Sequence, residues 1–277
     1  SQTILVQARN IVPSISIAEN IDRDIEIDEN GGLSIGLKEV SYTHPGSETP
    51  TISSVSLTIP SGSYVALVGP SGSGKTTLAD LILGLNVPDA GEVLVGGVAA
   101  SDLRRSRPGS MSYVPQKPGL VSGSIAENIA LGVPDEAIDY NLLRAVLEQS
   151  HLSGLIDSLP DGYHSLVGKH SEALSGGQVQ RLGLARALYT KPRLILLDEA
   201  TSALDAGMEA SVTQQIQDLG QDTTVVVIAH RLSTIQSADC VYLVDGGRIA
   251  ASGTFKELRK TVPMIQEYVS LMSFDEE

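Results

Sequence analysis

Nine consecutive residues, Gly69-Pro70-Ser71-Gly72-Ser73-Gly74-Lys75-Thr76-Thr77, carry the densest chemistry in this 277-residue chain. They follow a short apolar run, Val65–Val68, and open a helical stretch, the context that the pattern G-x-x-x-x-G-K-[ST] requires. Glycines at 69, 72 and 74 permit backbone angles that turn successive N–H groups inward as a nest for an anion. The dipole of the following helix adds partial positive charge at the same point. Lys75 brings a full charge able to sit between β- and γ-phosphates. The Thr76 hydroxyl is a hard oxygen donor suited to Mg2+.

A second group lies downstream. Leu194-Ile195-Leu196-Leu197 leads into Asp198-Glu199. In an open parallel sheet the carboxyl ends of the strands form the ligand edge, so both acids would face the nucleotide. Asp198 can hold a Mg2+-bound water, and Glu199 can polarise the water that attacks the γ-phosphate. Leu174-Ser175-Gly176-Gly177-Gln178 precedes that strand and starts a helix carrying Arg181 and Arg186. A serine and two glycines at a helix start make either a further anion site or an ordinary serine N-cap.

These groups need elements that bring strand ends together. Val65–Val68, Leu194–Leu197 and Val225–Ala229 are continuous apolar runs, as in strands buried on both faces. Helical segments fall between them, at Thr76–Leu83, Tyr140–Gln149, Gly177–Tyr189 and Met208–Leu219. This alternation predicts an α/β fold on a parallel sheet. Ahead of it, Ile35, Leu37, Val40 and Tyr42 alternate with one break, and Val55, Leu57 and Ile59 alternate cleanly, the pattern of half-buried antiparallel strands. Cys240–Val244, Asp245-Gly246-Gly247 and Arg248–Ala251 read as a closing hairpin. Residues 117–185 lack buried strands and read as an inserted helical subdomain, with one helix starting at the capping box Ser124-Ile125-Ala126-Glu127. Residues 1–32 differ. Pro13 suits a helix N-terminus; Ile11, Ile15, Ala18, Ile21 and Ile25 recur as one helical stripe, and the acidic stretch Asp22–Asn30 ends at Gly31-Gly32. The chain opens on Ser, which suggests a piece of something longer.

Composition limits the partners. Lys and Arg number 19 against 33 Asp and Glu, a formal net charge of −14. Such a surface repels a phosphate backbone and argues against nucleic-acid binding, though not against one local phosphate pocket. With 42% hydrophobic and 19% charged residues the chain reads as globular. A single cysteine, Cys240, excludes an internal disulfide framework and a cysteine-based zinc site. No apolar run approaches the ~18 residues of a membrane span, and the opening residues do not read as a secretory signal.

Leu-Ser-Gly-Gly-Gln between a phosphate loop and an Asp-Glu strand resembles the signature of ATP-binding cassette (ABC) ATPases. The resemblance covers roughly residues 33–260, within a nucleotide-binding domain spanning 33–277. It implies the P-loop NTPase (RecA-like) fold, a parallel sheet core with an antiparallel β subdomain and an inserted α-helical subdomain. It also implies roles. Tyr42 sits where the family stacks an aromatic on adenine. Gln116, in Tyr113-Val114-Pro115-Gln116, matches the glutamine that contacts Mg2+ and the attacking water. Asp205, in Ser202-Ala203-Leu204-Asp205, matches the D-loop, and His230, in Ala229-His230-Arg231-Leu232-Ser233, the switch histidine on the γ-phosphate. Ser175, Gly176, Gly177 and Gln178 would meet a γ-phosphate bound by the opposite subunit, so the resemblance implies two ATP molecules sandwiched between two cassettes. The remaining histidines, His44, His151, His164 and His170, read as surface or structural.

Leu120–Ile129, Ala200–Asp205 and His230–Thr234 are similar to exporter sequences. In such proteins a membrane domain precedes the cassette on the same chain. Residues 1–32 then read as a linker helix trailing from that domain, with the cassette at the cytoplasmic face of the inner membrane. Asn10–Ser14 resembles bacterial lipid or lipid-linked glycan exporters. Lys169 and Ser171 depart from the Glu and Gly usual in a stretch thought to sense the membrane domain. Three alternatives stand beside this reading. They are the separate ATPase subunit of an importer, a soluble non-transport ABC ATPase, and a regulatory cassette that binds ATP without hydrolysing it. The N-terminal helical stretch, the charge of −14 and the pair Glu199 and His230 speak against them in turn.

Overall fold

A computed structural model describes residues 31–168, 174–199, 206–229 and 231–266. The chain begins with strands β1 (Ile35–Tyr42), β2 (Ile52–Ile59) and β3 (Tyr64–Val68), then helix α1 (Lys75–Ile82). Next come β4 (Ala90–Val95), β5 (Val98–Ala99), α2 (Ala100–Ser106) and β6 (Met111–Val114). A mainly helical stretch follows, with β7 (Gly123–Ser124), α3 (Ile125–Ile129), α4 (Tyr140–Gln149), α5 (Ser153–Ser158), β8 (Leu166–Val167) and α6 (Gly176–Tyr189). The chain then returns to the sheet through β9 (Leu194–Asp198), α7 (Ala206–Gln217), β10 (Thr224–Ile228), α8 (Leu232–Gln236), β11 (Cys240–Asp245), β12 (Arg248–Gly253) and α9 (Phe255–Thr261).

The main sheet runs β12-β11-β3-β10-β9-β6. All neighbouring pairs are parallel except β11–β12, which forms the hairpin expected at the end of the chain. Period-two alternation sorts its side chains onto two faces. Tyr64, Ala66 and Val68, with Ile195, Leu197, Val225 and Val227, pack in a core shared with α3, α4 and α6. Val65, Leu67, Leu194, Leu196, Val226 and Ile228 pack in the other, with α1, α2 and a second sheet. Burial on both faces is why these strands read as unbroken apolar runs. Each buried Val, Leu or Ile contributes about 1.5–3 kcal/mol, so the strand ends that carry polar groups rest on the most stable part of the chain.

The second sheet is antiparallel, in the order β2-β1-β4-β5. The break in the β1 alternation is a bulge. Pairing with β2 jumps from Leu37↔Leu57 to Val40↔Val55, and Glu39 adopts φ 50. The extra residue restores the inward parity of Val40 and Tyr42. This arrangement, a parallel core with an antiparallel sheet and a helical excursion, is the fold class expected from the sequence.

Between β6 and β9 the helices pack on one another, α4 and α3 both against α6. The Ser124 capping box is formed as its sequence predicts, with the Ser124 side chain on the Glu127 N–H and the Glu127 carboxylate on the Ser124 N–H. Asn128 is fully buried. Its Nδ2 donates to Val121 O and Ser124 O, and its Oδ1 accepts from Val121 N. Arg186 of α6 closes the same knot by donating to Asn128 O and Gly119 O. Burial lowers the pKa of its guanidinium.

Candidate functional site

The phosphate loop leaves the end of β3 and its shape is set by contacts as well as by glycine freedom. A Cβ on Gly69 would lie 2.0 Å from Val244 O of β11, so the backbone can pass there only without a side chain. Gly74 caps α1 at φ 105, and a Cβ there would meet Ile52 Cδ1 at 2.8 Å. Ser73 O accepts from Gly247 N at 3.0 Å, and Gly247 O accepts from Ser53 N, so the loop is pinned to the β11–β12 turn and to β2. Lys75 is buried, and its Nζ donates to Gly69 O (2.7 Å) and Pro70 O (2.9 Å). Burial lowers its pKa, while Glu199 and Asp198 act in the opposite sense. Lys75 therefore lies within the field of both acids. Ser73 Oγ is buried with no partner among the described residues, a polar atom that a phosphate oxygen would satisfy. Ser71, Gly72 and Thr76 are exposed.

Parallel register aligns the carboxyl ends of four strands. Ile228 pairs with Leu67 on one side and Asp198 on the other, and Leu197 pairs with Val114. Gly69, Asp198, Glu199 and Gln116 thus emerge along one edge. Tyr113 donates its hydroxyl to Asp198 Oδ2 at 3.1 Å. Burial first, then the charge of Asp198, pushes the Tyr113 pKa well up, so the hydroxyl stays protonated and keeps donating. Gln116 Nε2 donates to Glu199 Oε2 at 2.5 Å. Glu199 adopts φ 47, in the left-handed region, and its N–H reaches Ile228 O at 3.3 Å. A non-glycine residue held there costs about 1–3 kcal/mol, strain that collects at working sites. Buried Gln180 of α6 fixes the pair from behind, its Nε2 donating to Gln116 O (3.2 Å) and Glu199 O (3.5 Å).

Mg2+ takes hard oxygen ligands and is usually held by one or two carboxylates plus substrate phosphates. Thr76, Asp198 and Gln116 provide a hydroxyl, a carboxylate and an amide oxygen, the last left over because Nε2 is on Glu199. Among the described residues no three His, Cys, Asp or Glu gather to bind a metal unaided. The set therefore fits a cation that arrives with a nucleotide.

Of the two sequence readings of Ser175, the N-cap is formed. Its Oγ accepts from Gln178 N at 3.3 Å and its N–H donates to Gln178 Oε1 at 2.8 Å, a capping box at the start of α6. The hydroxyl proton is left to donate outward, and Ser175 and Gly176 face solvent.

One expectation needs correction. Tyr42 is only 8% exposed and packs among Leu37, Val40 and Ile52 in the core, so its ring has no free face for adenine. The aromatic beside the loop is exposed His44, edge-on to Tyr42 at 5.1 Å, with Nε2 3.0 Å from Thr77 Oγ1 of α1. Asp205, His230, Lys169 and Ser171 lie outside the described residues, as does most of the expected N-terminal linker.

Glu209 is another residue that motif reading passes over. It is 3% exposed on α7 and accepts from Arg231, Ser233 and Thr234. The carboxylate ties α7 to the segment after position 230. A lone acid in register with buried Val212 and Ile216 was the available signal.

Comparison with known proteins bears on this geometry. Residues 52–202 match the family described as ABC transporter. The chain is 40% identical to the ABC-type transporter atr1 of Mycosarcoma maydis, over 93% of this chain and 19% of that protein. It is 39% identical to the ATP-dependent lipid A-core flippase of Thiobacillus denitrificans, over 90% of this chain and 44% of the other. Among solved structures, a bacterial Atm1-family ABC exporter with ATP bound superposes with a TM-score of 0.80 at 29% identity, over 95% of this chain and 47% of that one. The chain thus spans less than half the length of each of these relatives. With the family match covering more than half of its residues, and the fold shared along nearly its whole length, this chain belongs to the ABC transporter family and has its P-loop NTPase fold.

Proposed function

We propose that this domain binds and hydrolyses ATP between two paired cassettes, and that closing and opening of the pair drives a membrane exporter. The observation that supports this most is the shared edge. Lys75, Asp198, Glu199 and Gln116 converge where a β- and γ-phosphate would lie against the loop. Loop amides and Lys75 hold the phosphates, and exposed His44 takes the adenine-stacking role. Thr76, Asp198 and Gln116 would hold Mg2+, which supplies positive charge against the β- and γ-oxygens. Glu199, oriented by Gln116, accepts the proton of the attacking water. His230 would contact the γ-phosphate. Ser175, Gly176, Gly177 and Gln178, with Asp205, would complete the site of the second cassette; exposure of Ser175 and Gly176 at the start of α6 supports this. Binding energy present with ATP and lost after cleavage shifts the pair between closed and open states.

A membrane domain is the proposed mechanical partner. Val121 and Leu166 are 44% and 67% exposed at the two sides of the β7–β8 pair, beside the segment leading to Lys169 and Ser171. They offer an apolar contact at the cytoplasmic side. No described helix is long and apolar enough to cross a membrane. For cargo we propose a lipid or lipid-linked glycan, in keeping with the flippase among the relatives.

The test is Glu199→Gln with Mg2+ and ATP in a sedimentation experiment. Binding without turnover should convert the 29.1 kDa species to a dimer. Adding Ser175→Arg should prevent this, since a bulky cation there blocks the composite site. A monomer at saturating ATP, or a dimer indifferent to Ser175→Arg, would contradict the composite site.

A further inference from the structure

Asp198 ends β9 on the sheet face that packs against α1. Period two puts it on the side of Leu196, and Leu196 lies in the core shared with α1 and α2. Parallel register sets Tyr113 of β6 beside Leu196, and Tyr113 packs against that same core. The phenol therefore approaches the acid from within the sheet, along the strand ends. Its hydroxyl donates to Asp198 Oδ2 at 3.1 Å. Both residues are half-buried.

A second acid bears on this pair. Asp80 is half-buried on α1, one helical turn beyond Thr76. Burial raises its pKa, His44 acts in the opposite sense, and Asp198 raises it further. Asp80 also adds to the upward shift of Tyr113, after burial and Asp198. The phenol thus stays protonated in the field of two carboxylates. It has one proton to give, and the geometry commits that proton to Asp198 Oδ2. A cation that took both oxygens of Asp198 would have to displace the phenol.

We propose that Tyr113 is a positioning residue that holds Asp198 to a one-oxygen contact with the cation, and so makes the site favour Mg2+ over Ca2+. The inference rests on the ATP reading above and deepens it. Mg2+ demands near-octahedral geometry at about 2.0–2.1 Å. Ca2+ takes about six to eight oxygens, and carboxylates serve it through one oxygen or both. A carboxylate restrained through Oδ2 suits the first ion and withholds a ligand from the second. Tyr113 acts through Asp198, as hydrogen-bonded partners of metal ligands do.

Metal titration of the full chain, wild type against Tyr113→Phe, tests this. A non-cleavable ATP analogue is added with the protein in excess, so that all analogue is bound. Mg2+ or Ca2+ is then titrated in and followed by calorimetry. The wild-type complex should bind Mg2+ more tightly than the free analogue does. Tyr113→Phe should weaken Mg2+ binding by about tenfold, as loss of a partner behind a metal ligand does. Its Ca2+ affinity should hold or rise, so the preference for Mg2+ shrinks. Analogue affinity in EDTA and the urea midpoint should stay near wild type. Unchanged Mg2+ affinity in Tyr113→Phe would overturn the inference and leave the ATP reading standing. So would an equal fall for Mg2+, Ca2+ and EDTA conditions, the mark of a merely structural role. A wild-type complex that binds Mg2+ no better than the free analogue would overturn the Mg2+ site itself, and this inference with it.

Discussion

Glu199 and Gln116 share a 2.5 Å hydrogen bond while Gln180 holds both backbone carbonyls. At the scale of single residues this acid–amide pair is already held in place, while Ser73 Oγ is left for a ligand oxygen. The sharpest residue-level prediction concerns the aromatic pair at the end of β1. His44→Ala should weaken ATP binding by about 0.5–1.5 kcal/mol, the usual worth of an aromatic stacking contact, and leave stability nearly unchanged. Tyr42→Ala should instead destabilise the fold by about 3–5 kcal/mol, as removal of a large core side chain does. Calorimetry with ATP and urea denaturation of both variants separate the two effects. The reverse pattern would return the stacking role to Tyr42. The phosphate loop and the Asp-Glu pair were legible because their residue types are dictated by local chemistry at fixed spacing. Which of two neighbouring aromatics is exposed was not. It depends on a bulge at Glu39 and on a core contributed by distant strands.

Elements report their own energetics through their caps. Glu127 and Glu257 each accept the backbone N–H and hydroxyl of a cap residue, Ser124 and Thr254, and these bonds hold both carboxyls below the usual 4.5. A carboxylate with a depressed folded pKa adds stability that is present above the unfolded value and lost as pH falls through the folded one. Acidification below about pH 4.5 should therefore cost the wild type more stability than a Glu127→Gln, Glu257→Gln double variant. Urea midpoints measured from pH 6 downward compare them, and parallel curves would contradict the assignment. The Ser124 box was readable from four residues. The central strands were readable because burial on both faces leaves no polar residue to break the run. β4 and β6 were not legible. Half of β4 is exposed, with Gly91 at φ 79, and β6 has four residues and a buried serine. Their strand character comes from neighbours supplied by other parts of the chain. Glu209 was equally hidden, since its donors come from the segment after position 230.

For the whole molecule, two surfaces matter. One is the phosphate edge with the Ser175 start of α6, where a second cassette would seat. The other is the seam at the opposite ends of β9 and β10, where the helical excursion meets the sheet. The topology keeps them apart, because parallel strands put all carboxyl ends on one side and all amino ends on the other. The sequence patterns announced the first surface through its motifs. The second carries no motif, since a groove between an α-helix and two strand ends is made only when the chain folds.

The proposed ATP chemistry depends on Lys75 gripping the phosphates and Glu199 activating the water. Phosphate release and ATP affinity, measured side by side for the wild type, Lys75→Ala and Glu199→Gln, test that division directly. Lys75→Ala should lose nucleotide affinity. Glu199→Gln should keep affinity and lose turnover by at least about 100-fold, the lower bound for a general base. A Glu199→Gln protein that binds ATP and still releases phosphate at the wild-type rate would contradict the account.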